Sequence, residues 1–420
     1  MSRRAINVST VASGMSRWTK RVPSRCGAVA LLMLLSTRPV AAETTPLQYR
    51  EQALDVGGQQ VVVRIPQGFT LELLSADLNA PRLLTFAANG DLFIGSRSGR
   101  VYRLAPPYTS PQVLVKLSDY PHSVALRKQE ILIAQTDGLY RAPYQPGQAI
   151  LDPDTVKLYA ELPGGGGHSS RSIAVGPDGR VYVSLGISGN CSDEYLDAPY
   201  AFTDRRGGVL VLDESGDTPV WKAYGSGLRN PVGFAWHPRT AELYASNNGP
   251  DHQGFEQPPE YFSRITPGSF HGMPWFQFDG TRVQRDTCIE RDPPRPLSDV
   301  TPPVATFPAR NAPMGVAFVP AGALHKDLEF DAVVALRGSW GTQPSGSSLG
   351  AAASRRPPKL VVVRFKDGQA RRVDDLVTGF QLRKGDRWAR PVGVAIGPDG
   401  ALYFTSDSDV NGLFRLVPDR

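Results

Sequence analysis

Apolar runs of four or five residues recur along the chain, separated by short polar turns. One unit repeats: an apolar strand, a turn of the Asn-Gly or Pro-Asp-Gly kind, then a second strand of alternating apolar residues. It occupies Leu83–Gly95, Ser123–Ala134, Ile173–Ser184, Gly233–Ala245, a looser Gly315–Leu336, and Gly393–Phe404. A Gly or Asp-Gly turn between two β-rich runs is a strong hairpin signal. Several copies continue into a third strand, as at Gly99–Leu104, Gly138–Ala142, Gly208–Leu212 and Gly412–Leu416. Six such units predict an all-β protein, a six-bladed β-propeller of antiparallel four-stranded blades. Stacking of blade on blade then supplies the core. A sandwich or barrel does not account for six recurrences, and no segment sustains a 3.6-residue period. Extra length falls in 250–312 and 341–360, and long loops on a rigid scaffold are where sites are built. The Ser/Gly/Ala-rich stretch 341–358 reads as a mobile surface excursion.

Composition adds a compartment. The 420 residues carry a formal charge of +6, with 42 glycines and 37 prolines that suit many turns. Arg3, Arg4, Arg17, Lys20, Arg21 and Arg25 precede the apolar run Gly27–Leu35, and Val40-Ala41-Ala42 follows. This is the pattern of a cleavable secretory signal peptide over 1–42, with the propeller over 43–420, and it predicts a periplasmic or secreted protein. The apolar run is too short for a permanent span, so no stable membrane insertion is expected. The leader holds the charge excess: the remainder has 39 basic against 40 acidic residues. No basic stripe interleaved with aromatics is present, so nucleic acid is not an expected partner. Cys191 and Cys288 are the cysteines that outlast processing. In an oxidising compartment they are expected to be bonded, the alternative being two unrelated thiols.

Six histidines share no zinc-site spacing. His168 stands apart because it follows Gly164–Gly167 at the mouth of the third inner strand, where an imidazole suits proton abstraction; an ordinary rim histidine is the plainer reading. Arg229, in Gly227-Leu-Arg-Asn-Pro231, offers a fork of donors for an anion. The Gly249-Pro250 segment has carbonyls outside any helix or ladder, which suits a hard cation such as Ca²⁺, or is simply a polar turn. No nucleophile elbow, Rossmann fingerprint or phosphate loop occurs.

The ordered series of these segments resembles the glucose/sorbosone dehydrogenase family, secreted six-bladed propellers that use pyrroloquinoline quinone (PQQ) and calcium. Gly227–Pro231, Gly249-Pro250 and Gly268–Trp275 carry the likeness to the family. His168–Arg171 with Pro177–Gly179, Ala312–Gly315, Ala335–Trp340 and Arg390–Ala395 are similar to its sorbosone branch. The likeness spans about residues 60 to 418. It implies a dehydrogenase for an aldose sugar or sugar aldehyde, passing electrons to a separate acceptor, a cytochrome or quinone. By position, His168 would be the general base, and Arg229 would stabilise the reduced quinone. Asn230, Asn248, Arg390 and Arg337 would hold the cofactor. Gly249 and Pro250 carbonyls would bind Ca²⁺, and Glu260 loosely matches a further calcium ligand.

Two departures leave alternatives open. Ile187 stands where the glucose-oxidising branch has a carboxylate orienting the histidine, so Asp193, Asp197 or Asp204 would substitute, or the base would act unassisted. Val392 replaces one of two cofactor-gripping arginines, and Arg337 stands where the sorbosone branch tends to have histidine. These motivate a second reading, a non-catalytic carbohydrate- or protein-binding propeller. A third, a calcium-dependent lactonase, would need a central acidic ring, whereas the inner strands open with Pro, His, Arg and Asn.

Overall fold

The computed structural model describes residues 46–419; the expected signal peptide lies outside them. Six antiparallel sheets form the blades of a propeller. Blade one is Pro81–Phe86, Leu92–Ser96, Arg100–Leu104 and Gln112–Lys116; blade two is Ser123–Arg127, Glu130–Ala134, Gly138–Pro143 and Lys157–Glu161. Blade three comprises Arg171–Val175, Val181–Leu185, Gly208–Asp213 and Val220–Ser226, extended by a parallel fifth strand, Ser269–Phe270. Blade four holds Phe234–Trp236, Leu243–Asn247, Glu260–Ile265 and Ala305–Phe307, and blade five Pro313–Phe318, Ala332–Leu336, Lys359–Lys366 and Gln369–Val377. Each predicted repeat lies in its own blade. Five short 3₁₀ turns are the helical elements among the described residues.

Blade six closes the ring with both ends of the described chain. Ala389–Ile396 pairs with the first part of the run Leu402–Pro418, and the last part of that run pairs with Phe69–Ser75. Asp409, at φ 60, ends the first pairing opposite Ala389. Ahead of the closing strand, Tyr49–Asp55 and Gln60–Pro66 form a separate hairpin. Val61, Val63 and Ile65 point into the core while Gln60, Val62 and Arg64 face out, the two-residue period of a half-buried strand.

Burial falls from the axis outward. Second strands such as Leu92–Ser96 and Ala332–Leu336 are buried on both faces because a blade lies on either side. The outer strands Gln112–Lys116 and Lys157–Glu161 are mostly exposed. This is why the inner and second strands are the most apolar parts of each repeat.

The repeated residues have physical reasons. In Gly176-Pro-Asp-Gly-Arg-Val-Tyr182, Asp178 accepts from the Arg180 amide (3.1 Å) and the Tyr182 hydroxyl (2.8 Å). Asp399 does the same for Ala401 (3.1 Å) and Tyr403 (2.8 Å). A Cβ on Gly176 would come within 2.8 Å of the Tyr182 ring, so the motif's first glycine makes room for its tyrosine. Where the inner strands converge, Gly233, Gly315 and Gly393 let backbones touch: a Cβ on Gly315 would lie 2.7 Å from the Val392 oxygen, and one on Gly393 2.6 Å from the Arg82 oxygen. Blades two and three place serine there instead. Ser123 Oγ donates to the Arg171 carbonyl (2.8 Å), and Ser172 Oγ to that of Val232. Gly233→Ala is therefore expected to destabilise the ring by about 3 kcal/mol through overpacking against backbone that cannot move aside. The urea midpoint measures it.

Candidate active site

The same contacts place the first residues of neighbouring inner strands side by side, so the loops entering those strands share one mouth of the ring. Two buried arginines shape the loop carrying His168. Arg206 donates to Gly186 O (2.9 Å), Gly164 O (3.3 Å), Gly166 O (3.1 Å) and His168 O (3.0 Å). Arg171 donates to Pro163 O (2.8 Å), His168 O (2.8 Å) and Ser170 O (3.0 Å). Guanidinium forks satisfied by carbonyls hold the glycine run in one conformation. Burial, with Arg206 nearby, pushes the Arg171 pKa down to about 9.

The half-buried His168 ring hydrogen-bonds the Ile187 carbonyl through Nδ1. A carbonyl only accepts, so Nδ1 carries the proton and Nε2 of the neutral ring keeps its lone pair. Burial first, then the charges of Arg229 and Arg206, push the His168 pKa down to about 4. None of Asp193, Asp197 and Asp204 binds the ring, which leaves the second of the two alternatives, a base without a carboxylate partner. Asp193 pairs with Arg291, Asp197 caps the Ala198 amide (3.2 Å), and Asp204 faces Thr203 (3.4 Å). Main chain at Ile187 fills that role.

Ile187 also ties the third blade to the fourth, its amide donating to Arg229 O (2.8 Å). Between them Gly186 has no room for a side chain: a Cβ would lie 2.5 Å from both His168 Cβ and Asn230 Oδ1. His168, Arg229 and Asn230 thus meet at one seam. The buried Arg229 donates from Nε to Asn190 O and from Nη2 to Asn190 Oδ1, both 3.0 Å, with Asp251 3.8 Å away. The Asn230 amide donates to Asn247 Oδ1 (2.9 Å), and Asn248 Nδ2 donates to Asn230 O (3.2 Å) and Pro313 O (2.7 Å). Beneath the next turn, the buried Glu260 accepts from the amides of Gly249 and, at 3.4 Å, Ala312. Burial pushes its pKa up to about 7. Among the described residues no hydrogen bond is donated to the Gly249 or Pro250 carbonyl.

Across the mouth lies a cationic arc. Arg82 Nη1 (2.6 Å) and Arg337 Nε (2.8 Å) share the Asp407 carboxylate. Arg390 reaches Arg337 O and Gly338 O, each at 2.9 Å, and Arg387 reaches Ser339 O and Gln381. Burial, then the neighbouring guanidiniums, push Arg390 down to about 9 and Arg387 to about 10. Arg82 also meets His122 (3.4 Å), whose Nδ1 faces Arg171 O at 3.1 Å, and Arg82 Nε is buried without a partner among the described residues. Two of these four guanidiniums share one carboxylate and the other two bond uncharged oxygens, so the arc carries an excess of positive charge. Val392 is buried in the core, so that position contributes nothing to the arc. The stretch 341–358 is tied down rather than free: Arg356 pairs with Glu256, Gln343 reaches the same carboxylate (3.2 Å), and Gly346 lies against Arg310.

Cys191 and Cys288 are bonded, as expected, across 97 residues. Although His252 lies beside both sulfurs, the disulfide uses the atoms a metal would need. Sequence reasoning missed Arg206, Asn190 and the Arg82–Asp407 pair; all three act through hydrogen bonds to residues distant in the chain. His122, His168 and His271 are all held neutral by burial, with pKa values below the ordinary 6.5. The unfolded chain then binds more protons below pH 6.5, so thermal midpoints are expected to fall as pH drops from 6.5 toward about 4.

Among the described residues no helix is long and apolar enough to cross a membrane. The chain is 24% identical over 374 residues to an uncharacterized protein of Borreliella burgdorferi, covering 85% of this chain and 91% of the relative. Its fold is similar to that of a Trichoderma reesei carbohydrate-active enzyme of family AA12 in its calcium structure (TM-score 0.68, 19% identity, 89% of this chain and 99% of the other). It is also similar to the holo form of the pyranose dehydrogenase PQQ domain from Coprinopsis cinerea (TM-score 0.64, 18% identity, 85% and 97% covered). The profile of the family described as Glucose / Sorbosone dehydrogenase matches residues 149–415, well over half of a chain folded as a six-bladed propeller, and the protein belongs to that family.

Proposed function

We propose that the protein is a PQQ- and Ca²⁺-dependent dehydrogenase of the sorbosone branch, exported to the periplasm or exterior, which oxidises an aldose or sugar aldehyde. The observation that carries the reading is the seam at Gly186, where a histidine with an unprotonated Nε2 meets Arg229 and Asn230. The donor set fits the cofactors. The arc of Arg82, Arg337, Arg387 and Arg390 suits an anion with several carboxylates, and the orphaned Arg82 Nε adds an unsatisfied donor. The Gly249 and Pro250 carbonyls suit a hard cation, with the buried Glu260 carboxyl group beneath their turn.

When bound, PQQ supplies a two-electron acceptor for the hydride leaving the sugar carbon, and Ca²⁺ supplies Lewis acidity. His168 Nε2 takes the proton of the C1 hydroxyl (or of the hydrated aldehyde), while Nδ1–H stays on the Ile187 carbonyl and fixes the ring. Arg229, positioned by Asn190, offers fixed positive charge where negative charge develops. Asn230 and Asn248 orient the acceptor, and electrons leave to a separate cytochrome or quinone.

Addition of PQQ and Ca²⁺ to purified protein, with dye reduction followed over a panel of aldoses and aldehydes, tests the reading. Cofactor-dependent turnover is expected; neither quinone uptake nor turnover would overturn it. Gly186→Ala should lower kcat about 10²-fold, because it drives His168 and Asn230 apart, with the urea midpoint as the control for folding.

A further inference from the structure

The loops around Arg229 form a stitched cluster that the reaction itself does not explain. Asn190 accepts both Arg229 hydrogen bonds, and its Oδ1 also accepts the Asp251 amide (2.8 Å). The next residue, Cys191, is bonded to Cys288. The Cys288 amide donates to Asp286 Oδ1 (2.7 Å), and Asp286, itself buried, takes His252 Nε2 (2.7 Å) and Gln253 Nε2 (2.9 Å). Three segments, 187–191, 249–254 and 285–288, are thus joined at two points: Asn190 and the disulfide with Asp286. The second segment begins with the Gly249 and Pro250 carbonyls.

We propose that Asn190 is a positioning residue for Arg229, and that the Cys191–Cys288 disulfide is the covalent anchor that holds Asn190 in place. The physical argument concerns freedom. A long guanidinium side chain loses much rotamer entropy when fixed, and two acceptors on one residue fix both its direction and its plane. Asn190 lies in a loop among the strands of blade three, so alone it would move with that loop. The disulfide ties it to a segment 97 residues away, and Asp286 ties that segment to the turn after Pro250. One asparagine therefore sets Arg229 and the Asp251 backbone together.

The catalytic part of this inference rests on the proposed dehydrogenase activity, but the positioning part does not. The first readout is amide hydrogen exchange in the protein without cofactor, at the Ile187 amide bonded to Arg229 O and the Asn230 amide bonded to Asn247. Asn190→Ala removes Oδ1 and should speed exchange at both at least tenfold. Asn190→Asp keeps an acceptor of the same shape and should restore protection to within threefold. The Cys191→Ser/Cys288→Ser double variant should behave like Asn190→Ala, and wild-type protection in it would overturn the anchoring role; should it fail to fold, exchange measured after reduction of the disulfide in the folded wild type gives the same readout. With PQQ and Ca²⁺, Asn190→Ala should lower kcat tenfold or more while sugar KM stays within threefold. Unchanged exchange at Ile187 and Asn230 in Asn190→Ala would overturn the positioning role, whatever the enzyme does. Faster exchange in a protein without PQQ-dependent turnover would support that role and count against the proposed activity instead.

Discussion

Replacement of His168 by glutamine is expected to reduce kcat by about 10²–10⁴-fold, the usual contribution of a positioned general base. Glutamine can still donate toward the Ile187 carbonyl but has no nitrogen lone pair to accept a proton. PQQ affinity, followed by titration of its absorbance, should change by less than threefold, since the cationic arc across the mouth is untouched. The pH profile gives an independent check. A base works only when unprotonated, so activity is lost as pH falls through its pKa. With that value near 4 rather than the ordinary 6.5, kcat/KM of the wild type should stay level from pH 8 down to about 6 on its acid side. A wild-type limb centred at 6.5, or equal rates for His168→Gln, would remove His168 from the role.

Removal of residues up to and including Ser75 is expected to abolish folding. The strand Phe69–Ser75 is the outer edge of blade six and pairs with Leu413–Pro418. Phe69 and Leu71 are fully buried, and Val61, Val63 and Ile65 of the hairpin join the same core. Five such side chains at about 1.5–3 kcal/mol each are comparable in sum to the about 5–15 kcal/mol that keeps a domain folded. Expression without this segment should give insoluble protein, and a separate peptide of residues 46–75 should restore soluble protein if the loss is one of closure. A cooperative thermal transition in the truncated protein would show that five blades and an incomplete sixth suffice.

The blades were legible because their signal is local. Each hairpin carries its own turn residues and alternation, and Gly-Pro-Asp-Gly-x-x-Tyr even encodes a side-chain network closed within seven residues. The identity of the closing strand was not legible: Phe69–Ser75 reads as any β-rich run, and its partner lies at the other end of the chain. The same division holds at the site. His168, Arg229 and Asn230 stand in distinctive local contexts, and the chain brings them to one seam. Arg206 and Asn190 lack such contexts, since their roles consist of hydrogen bonds to carbonyls and guanidiniums reached through blade packing. Ile187 shows why side-chain identity alone misleads. The residue type suggests a lost carboxylate, yet every residue has a carbonyl, and here the carbonyl is the group that meets the imidazole.

The closing strand also sets the order of events during synthesis. Arg415 reaches Glu72 across 343 positions, and Asp419 reaches Thr70 across 349. Blades one to five can assemble as the chain leaves the ribosome, but the strand that completes the sixth waits, unpaired, for a partner 343 positions further along the chain. Until then the nascent protein carries an exposed β edge of the kind that invites wrong partners. Protection of Phe69–Ser75 by a chaperone in that interval, rather than the speed of any single hairpin, is expected to govern the yield of active protein.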